Sequence, residues 1–336
     1  MNEGDGKEGN QLSAPADPTL DSVRTAVRRI SRVTNRTPVR VSNQLSKIHG
    51  APVMLKLETT QPTGSFKVRG AANAVIRQRE EGSITGVVTA STGNHGRALA
   101  YIARTLGLDA IVCLSKNVPQ DRIDSIRAEG ARVAIVEGDQ TAAIGRGRQL
   151  AEERGQLFVT PFDDPDVISG QGTISLELHE QIPDLDTVLV PVSGGGLAAG
   201  VALAIKSLAP QTRVIAVSAE RTPTMARSLA AGRPVATQEI PTIAGSLMGD
   251  LGPDNRYSFR IVQQFVDDVV LIPEDEIRDA MRWTLRNERL VAEGAAAVVV
   301  AYLLGQPTKG RGQTTAAIIT GDNVASGSLE SAVRCL

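Results

Sequence analysis

The stretch Thr63-Gly64-Ser65-Phe66-Lys67-Val68-Arg69-Gly70 places one lysine on a tight, glycine-flanked turn. Val68, Ala71, Ala72, Val75 and Ile76 follow at helical spacing, so the turn opens a helix with Lys67 at its start. Lysine is scarce elsewhere in the chain, where arginine supplies most of the positive charge. A lysine preceded by an aromatic residue and shielded from water has its charged form disfavoured, and its amine becomes a usable nucleophile. Taken alone, a lysine is ordinarily a solvated surface group. The segments around this one argue otherwise.

Just upstream, Leu55-Lys56-Leu57-Glu58 and Gln61-Pro62 lead into the turn, and Arg69-Gly70-Ala71 continues it. Downstream come Ser91-Thr92-Gly93-Asn94-His95-Gly96, then Ser193-Gly194-Gly195-Gly196-Leu197, then Thr320-Gly321-Asp322-Asn323. In order and spacing these motifs resemble the pyridoxal-phosphate enzymes of the threonine/serine dehydratase family, fold type II. The resemblance spans roughly residues 20 to 330. Among its branches, the run from Ser91 to Tyr101 looks most like the dehydratases of hydroxyectoine utilisation.

Composition agrees with a small-molecule enzyme. A chain of 336 residues exceeds the usual single-core size, and 41% hydrophobic residues are ample for burial. A net charge of −1 with both signs interspersed offers no general attraction to nucleic acid or to an anionic membrane. Cys113 sits in an apolar run and Cys335 near the end, which is neither a disulfide framework nor a metal spacing. With no signal peptide and no apolar run long enough to span a bilayer, a cytoplasmic protein is expected.

Residues 1 to 18 are polar, aperiodic and rich in Gly, Asn, Asp and Pro, and a disordered tail is expected there. Leu20, Val23, Val27 and Ile30 share a helical stripe that Thr37-Pro38 closes. Strands are expected at 52–57, 87–90, 110–114, 133–136 and 157–159, and again near 187–192, 213–217, 267–272 and 315–320. Gly107, Gly130 and Gly155 stand where helix C-caps are needed, and Pro119 suits a helix start. Strands alternating with helices specify an α/β protein: two open parallel twisted sheets with helices on both faces. The segment from Asp267 to Ala295, with Ile277, Met281 and Leu285 on one stripe, reads as core packing, and His49 and His179 as surface or core histidines.

The second motif is a strand, a polar turn and a helix start, where exposed N–H groups favour an anion such as a carboxylate. In the third, a buried strand runs into glycines whose missing Cβ atoms let backbone N–H groups close on a phosphate. Alone it also fits a dinucleotide fingerprint, Gly194-x-Gly196-x-x-Ala199 with Glu220 about 20 residues on, so a nicotinamide-dependent oxidoreductase is the rival class. That enzyme has no use for the lysine turn or the Asn94 loop. In the fourth motif, Thr320 is a neutral hydroxyl at a strand end.

The resemblance implies a tryptophan synthase beta-like architecture, with 19–60 plus 161–336 as the large cofactor-binding domain, 61–160 as a smaller mobile domain, and a homodimer. It implies pyridoxal 5'-phosphate held covalently by Lys67 beside Phe66. Asn94 would meet the phenolic oxygen, Ser193, Gly194, Gly195, Gly196 and Leu197 the phosphate, and Thr320 the pyridine nitrogen. Ser91, Thr92 and His95 would surround the carboxylate of an amino-acid substrate, with Lys67 and Thr92 as the catalytic groups. Thr92 departs from the Ser or Ala usual at its place, and Asp322 from the usual Gly. The implied reaction is loss of water from a β-hydroxy amino acid, giving an enamine that hydrolyses to a 2-oxo acid and ammonia. Racemases and β-replacement synthases share the fold and stand as alternatives. Some relatives carry a divalent metal on an acidic residue where this chain has Ser218, with Glu220 fitting only after a shift, so no metal site is expected.

Overall fold

Thr19 caps the first helix through a reciprocal bond with Ser22, satisfying two backbone donors that the helix cannot satisfy itself. Asp164, followed by Pro165, does the same for the seventh, accepting from the N–H groups of Asp166 and Val167. The computed structural model describes residues 16–82, 84–91, 93–116, 118, 120–138, 140–252, 254–305 and 313–324. The strands are β1 Val39–Val41, β2 Val53–Leu57, β3 Gly86–Ala90, β4 Asp109–Ser115, β5 Arg132–Val136, β6 Leu157–Phe158, β7 Leu185–Pro191, β8 Arg213–Ala219, β9 Asp268–Ile272 and β10 Thr314–Ile319. The helices are α1 Leu20–Ile30, α2 Asn43–His49, α3 Lys67–Glu81, α4 Asn94–Leu106, α5 Gln120–Ala128, α6 Gln140–Arg154, α7 Pro165–Gln181, α8 Gly196–Leu208, α9 Thr224–Ala231, α10 Ser258–Phe265, α11 Glu274–Trp283 and α12 Gly294–Gly305.

The strands form two sheets, a six-stranded one in the order β1-β2-β10-β7-β8-β9 and a four-stranded one in the order β5-β4-β3-β6. Every pairing is parallel except that of β1 with β2. The expected α/β class is therefore correct, with one addition: β1, three residues long and too short to show a period, is an antiparallel edge. Both faces of each sheet are covered, as parallel sheets require. Val188 and Val190 pack towards α7, α8 and α10, whereas Leu189 between them packs towards α2, α11 and α12. In the smaller sheet Val87 and Val112 face α3 and α4, while Val88 and Cys113 face α6.

Two local readings change. On α1 the buried stripe is Val23, Ala26 and Ile30, and Val27 is 38% exposed, because the helix turns Ala26 rather than Val27 inward. The stretch 267–295 is not one packed unit. Ile277 and Met281 are buried on α11, but Leu285 lies in a π-helical turn, Thr284–Glu288, and Arg289 then takes a left-handed φ of 56° that ends the helix. Gly107, Gly130 and Gly155 have φ of 68°, 95° and 60°, the left-handed conformation a C-cap needs. Pro119, Cys335 and the polar segment 1–15 lie outside the described residues. His49 is buried and His179 exposed. Among the described residues no helix is long and apolar enough to cross a membrane.

Helix α7 runs between the helix that begins with Lys67 and the helix that begins after the glycine loop. A Cβ on Gly170 would stand 2.6 Å from the Arg69 carbonyl oxygen, and one on Gly200 would stand 2.3 Å from that of Ile168. Backbone cannot move aside as a side chain can, so Gly200→Ala should cost about 1–3 kcal/mol. Gly145, exposed on α6 with open space around it, should gain about 0.5–1 kcal/mol from alanine. Urea denaturation of the two variants checks this. Equal effects would remove the close helix contact as an explanation.

Candidate active site

The lysine turn is fastened to the neighbouring strand. Gly64 has φ 67°, and a Cβ there would meet Asp322 Oδ1 at 2.4 Å, so only glycine suits both the backbone and the space. Phe66 N donates to the Thr320 carbonyl at 3.0 Å and Asp322 N to that of Gly64 at 3.0 Å, tying the turn to the end of β10. Lys67 Nζ donates to the Pro161 carbonyl at 2.8 Å and lies 5.2 Å from the centre of the Phe66 ring. Part of the Lys67 side chain remains accessible, yet burial of its amine lowers the pKa from 10.5 to about 8, with the Glu293 carboxylate pulling the other way.

A polar chain joins the second and fourth motifs. Asn323 Nδ2 donates to the Thr63 carbonyl at 3.1 Å and to Asn94 Oδ1, while Asn94 Nδ2 donates to Glu293 Oε1 at 2.7 Å. Arg97 donates to Asn323 Oδ1, and Ser246 Oγ donates to Glu293 Oε2 at 3.2 Å. Burial pushes Glu293 up to about 7, against the ionising pull of the Asn94 and Ser246 hydrogen bonds. Gly93 caps α4 without a side-chain bond, which leaves amide donors open at the helix start. His95 is buried, with Nε2 3.2 Å from the Val159 carbonyl and Nδ1 without a partner. Burial, reinforced by Lys67, lowers its pKa to about 3, so its ring is neutral. Ser91 is half-buried at the end of β3, and Thr92 lies outside the described residues.

The glycine loop approaches the lysine from the Pro161-Phe162 side. A Cβ on Gly194 would fall 2.5 Å from the Phe162 ring, and one on Gly196 would fall 2.6 Å from its carbonyl oxygen. Gly195 has φ 90° and caps α8 with no side-chain bond, and Ser258 Oγ holds the Gly194 carbonyl at 2.7 Å. Three side-chain-free residues and the open first-turn amides of α8 form a cradle that fits a phosphate. Ser193 at its entrance is half-buried, Leu197 is buried, and Thr320 is buried at the end of β10.

The structure ties Phe66 and Thr320 to the lysine turn, brings His95 and the Glu293 partner of Asn94 within electrostatic reach of Lys67, and sets the glycine loop against Phe162, next to the Pro161 carbonyl that Lys67 bonds. Glu293 was missed. It falls in the segment read as core packing, and its only signal was one carboxylate before Gly294 in an otherwise apolar run. Asp322, which replaces the usual Gly, stands over Gly64. Ser218 bonds the Thr222 carbonyl, and Glu220 is exposed. The buried amine makes a direct prediction: in the cofactor-free chain, acylation of Lys67 should rise with a midpoint near pH 8. Glu293→Gln should move that midpoint down, because the carboxylate favours the ammonium form. Mass-spectrometric labelling across pH measures both, and an upward shift in the variant would contradict the pairing.

Comparison with known proteins supplies the family. Residues 30–321 match the family of pyridoxal-phosphate dependent enzymes. An L-threonine ammonia-lyase of Thermotoga maritima is 39% identical over 310 residues, 91% of this chain and 76% of that protein. A serine racemase of Oryza sativa is 34% identical over 306 residues, 91% of this chain and 88% of that protein. The structure of maize serine racemase superimposes with a TM-score of 0.88 at 32% identity, over 95% of this chain and 98% of that one. With a family match over residues 30–321 and relatives similar along most of its length, the chain belongs to the pyridoxal-phosphate dependent enzymes.

Proposed function

We propose that this enzyme is an ammonia-lyase that removes water from a β-hydroxy amino acid, as the names of its threonine ammonia-lyase relatives suggest. The observation that carries the reading is Lys67, an amine with pKa about 8 between the Asn94 chain and the glycine loop. Pyridoxal phosphate, when bound, supplies a sink for the negative charge that develops at Cα.

The roles of the residues follow from their chemistry. The amides of Ser193 to Leu197 and the start of α8 hold the phosphate, and Phe66 and Asn94 orient the ring. Thr320, a neutral hydroxyl, does not force a ring nitrogen to be protonated as a carboxylate would, which moderates the sink and favours prompt loss of the β-hydroxyl. Lys67, close to half neutral near pH 8, takes the proton from Cα. Ser91 and His95 flank the carboxylate, and Thr92 donates or relays a proton. Neutral His95 gives its one ring N–H to the Val159 carbonyl, which leaves Nδ1 as an acceptor and adds no second charge to the site.

The finer reading within this proposal is a hydroxylated 2,4-diaminobutyrate of hydroxyectoine breakdown. Asp322 favours it, since its carboxylate beside the lysine turn has no ion-pair partner among the described residues and could receive a second amino group. Cytoplasmic location and a homodimer belong to the same proposal. Incubation with L-threonine, L-serine and hydroxylated 2,4-diaminobutyrate should release ammonia and a 2-oxo acid, and Lys67→Ala should lower kcat/KM by at least about 10³-fold. Inversion at Cα without ammonia would replace the lyase by a racemase. A clear preference for threonine would retire the diaminobutyrate substrate alone.

A further inference from the structure

Arg122, in the first turn of α5, is a cation that the site leaves unassigned. Its Nη1 lies 3.6 Å from where a Cβ on Gly93 would be, and its Nη2 lies 3.9 Å from the same point on Gly245. Gly93 precedes α4 at the end of the smaller sheet, and Gly245 precedes Ser246, which bonds Glu293 on the other side. The guanidinium thus spans the gap between the two walls of the site, and glycine at both positions leaves it room.

The group is half-buried, and among the described residues its guanidinium donates no hydrogen bond and forms no ion pair. Arg97 nearby is engaged by Asn323 and Glu129, and Arg77 by Asp166 and Glu81. Arg122 favours the ionised form of Glu293 at a distance without bonding it. Five donors of a half-buried guanidinium, held beside the open amides at the start of α4, form a place where an anion can be received. The phosphate has its own cradle beyond Phe162.

We infer that Arg122 binds the carboxylate of the amino-acid substrate at the start of α4, an assignment that rests on the amino-acid reading above. The guanidinium supplies the charge that the neutral His95 ring and the hydroxyls of the loop do not.

L-Alanine, which has no β-leaving group, and L-alaninamide, which has no carboxylate, separate this role from catalysis. Their binding to the holoenzyme is read from the visible absorption of the cofactor. Arg122→Ala should weaken L-alanine binding about 10- to 100-fold and leave L-alaninamide within about twofold, with Arg122→Lys recovering part of the loss. Equal weakening of both ligands, or no weakening of L-alanine in either variant, would overturn the assignment. If L-threonine releases no ammonia while the discrimination persists, the lyase reading fails and Arg122 keeps its role. If ammonia is released without discrimination, the role of Arg122 fails alone.

Discussion

A buried cluster of four charges holds the elements that present Lys67. Arg69 donates to Glu58 at 2.7 and 2.9 Å and to Glu177 at 2.7 and 3.0 Å, and Lys56 donates to Glu177, to the Thr37 carbonyl and to Gln181. Lys56, Glu58 and Arg69 are no more than 1% exposed. These residues come from β2, from the turn after it, from α3 and from α7, and Arg69 is two residues from Lys67. Two positive and two negative charges cancel, and each finds hydrogen bonds. Such a cluster adds little net stability over an apolar core of the same shape, but loss of one member leaves a buried charge unpaired, at about 3–5 kcal/mol. The cluster ties α3 to β2, to the turn after it and to α7 at Arg69, two residues from the Lys67 amine.

The close helix contacts complete the arrangement. Gly170 and Gly200 let α3 and α8 approach the backbone of α7, so the lysine turn and the glycine loop become two ends of one packed layer. Pro161 and Phe162 lie between them and touch both, the first through the Lys67 amine and the second through Gly194 and Gly196. A phosphate site and an amine set by separate flexible loops would need ordering at each turnover. Here the order is built into the fold.

Burial determines the electrostatic character of the site. It lowers Lys67 to about 8 and His95 to about 3, and raises Glu293 to about 7. Each shift moves the group towards its neutral form, as loss of water demands. Lys67 and Glu293 can therefore exchange protons near neutral pH, while Arg97 and Arg122 keep their charge.

What the sequence by itself determined was local. The strand and helix rhythm, the glycine C-caps, the glycine loop before α8 and the lysine turn each depend on residues within a few positions of one another, and their periods and turn chemistry are written in consecutive residues. Tertiary structure decided what depends on distant partners. Glu293 reaches Asn94 across 199 residues, Arg122 of α5 comes beside the distant Gly245, and the antiparallel β1 exists because β2 offers it an edge. The π-helical turn and the left-handed Arg289 are likewise invisible in periodicity, yet they end α11 so that the chain can deliver Glu293 to the site. A hydrogen bond between remote residues leaves no spacing in the chain, so only the packed fold could show which carboxylate, and which arginine, stand beside the lysine.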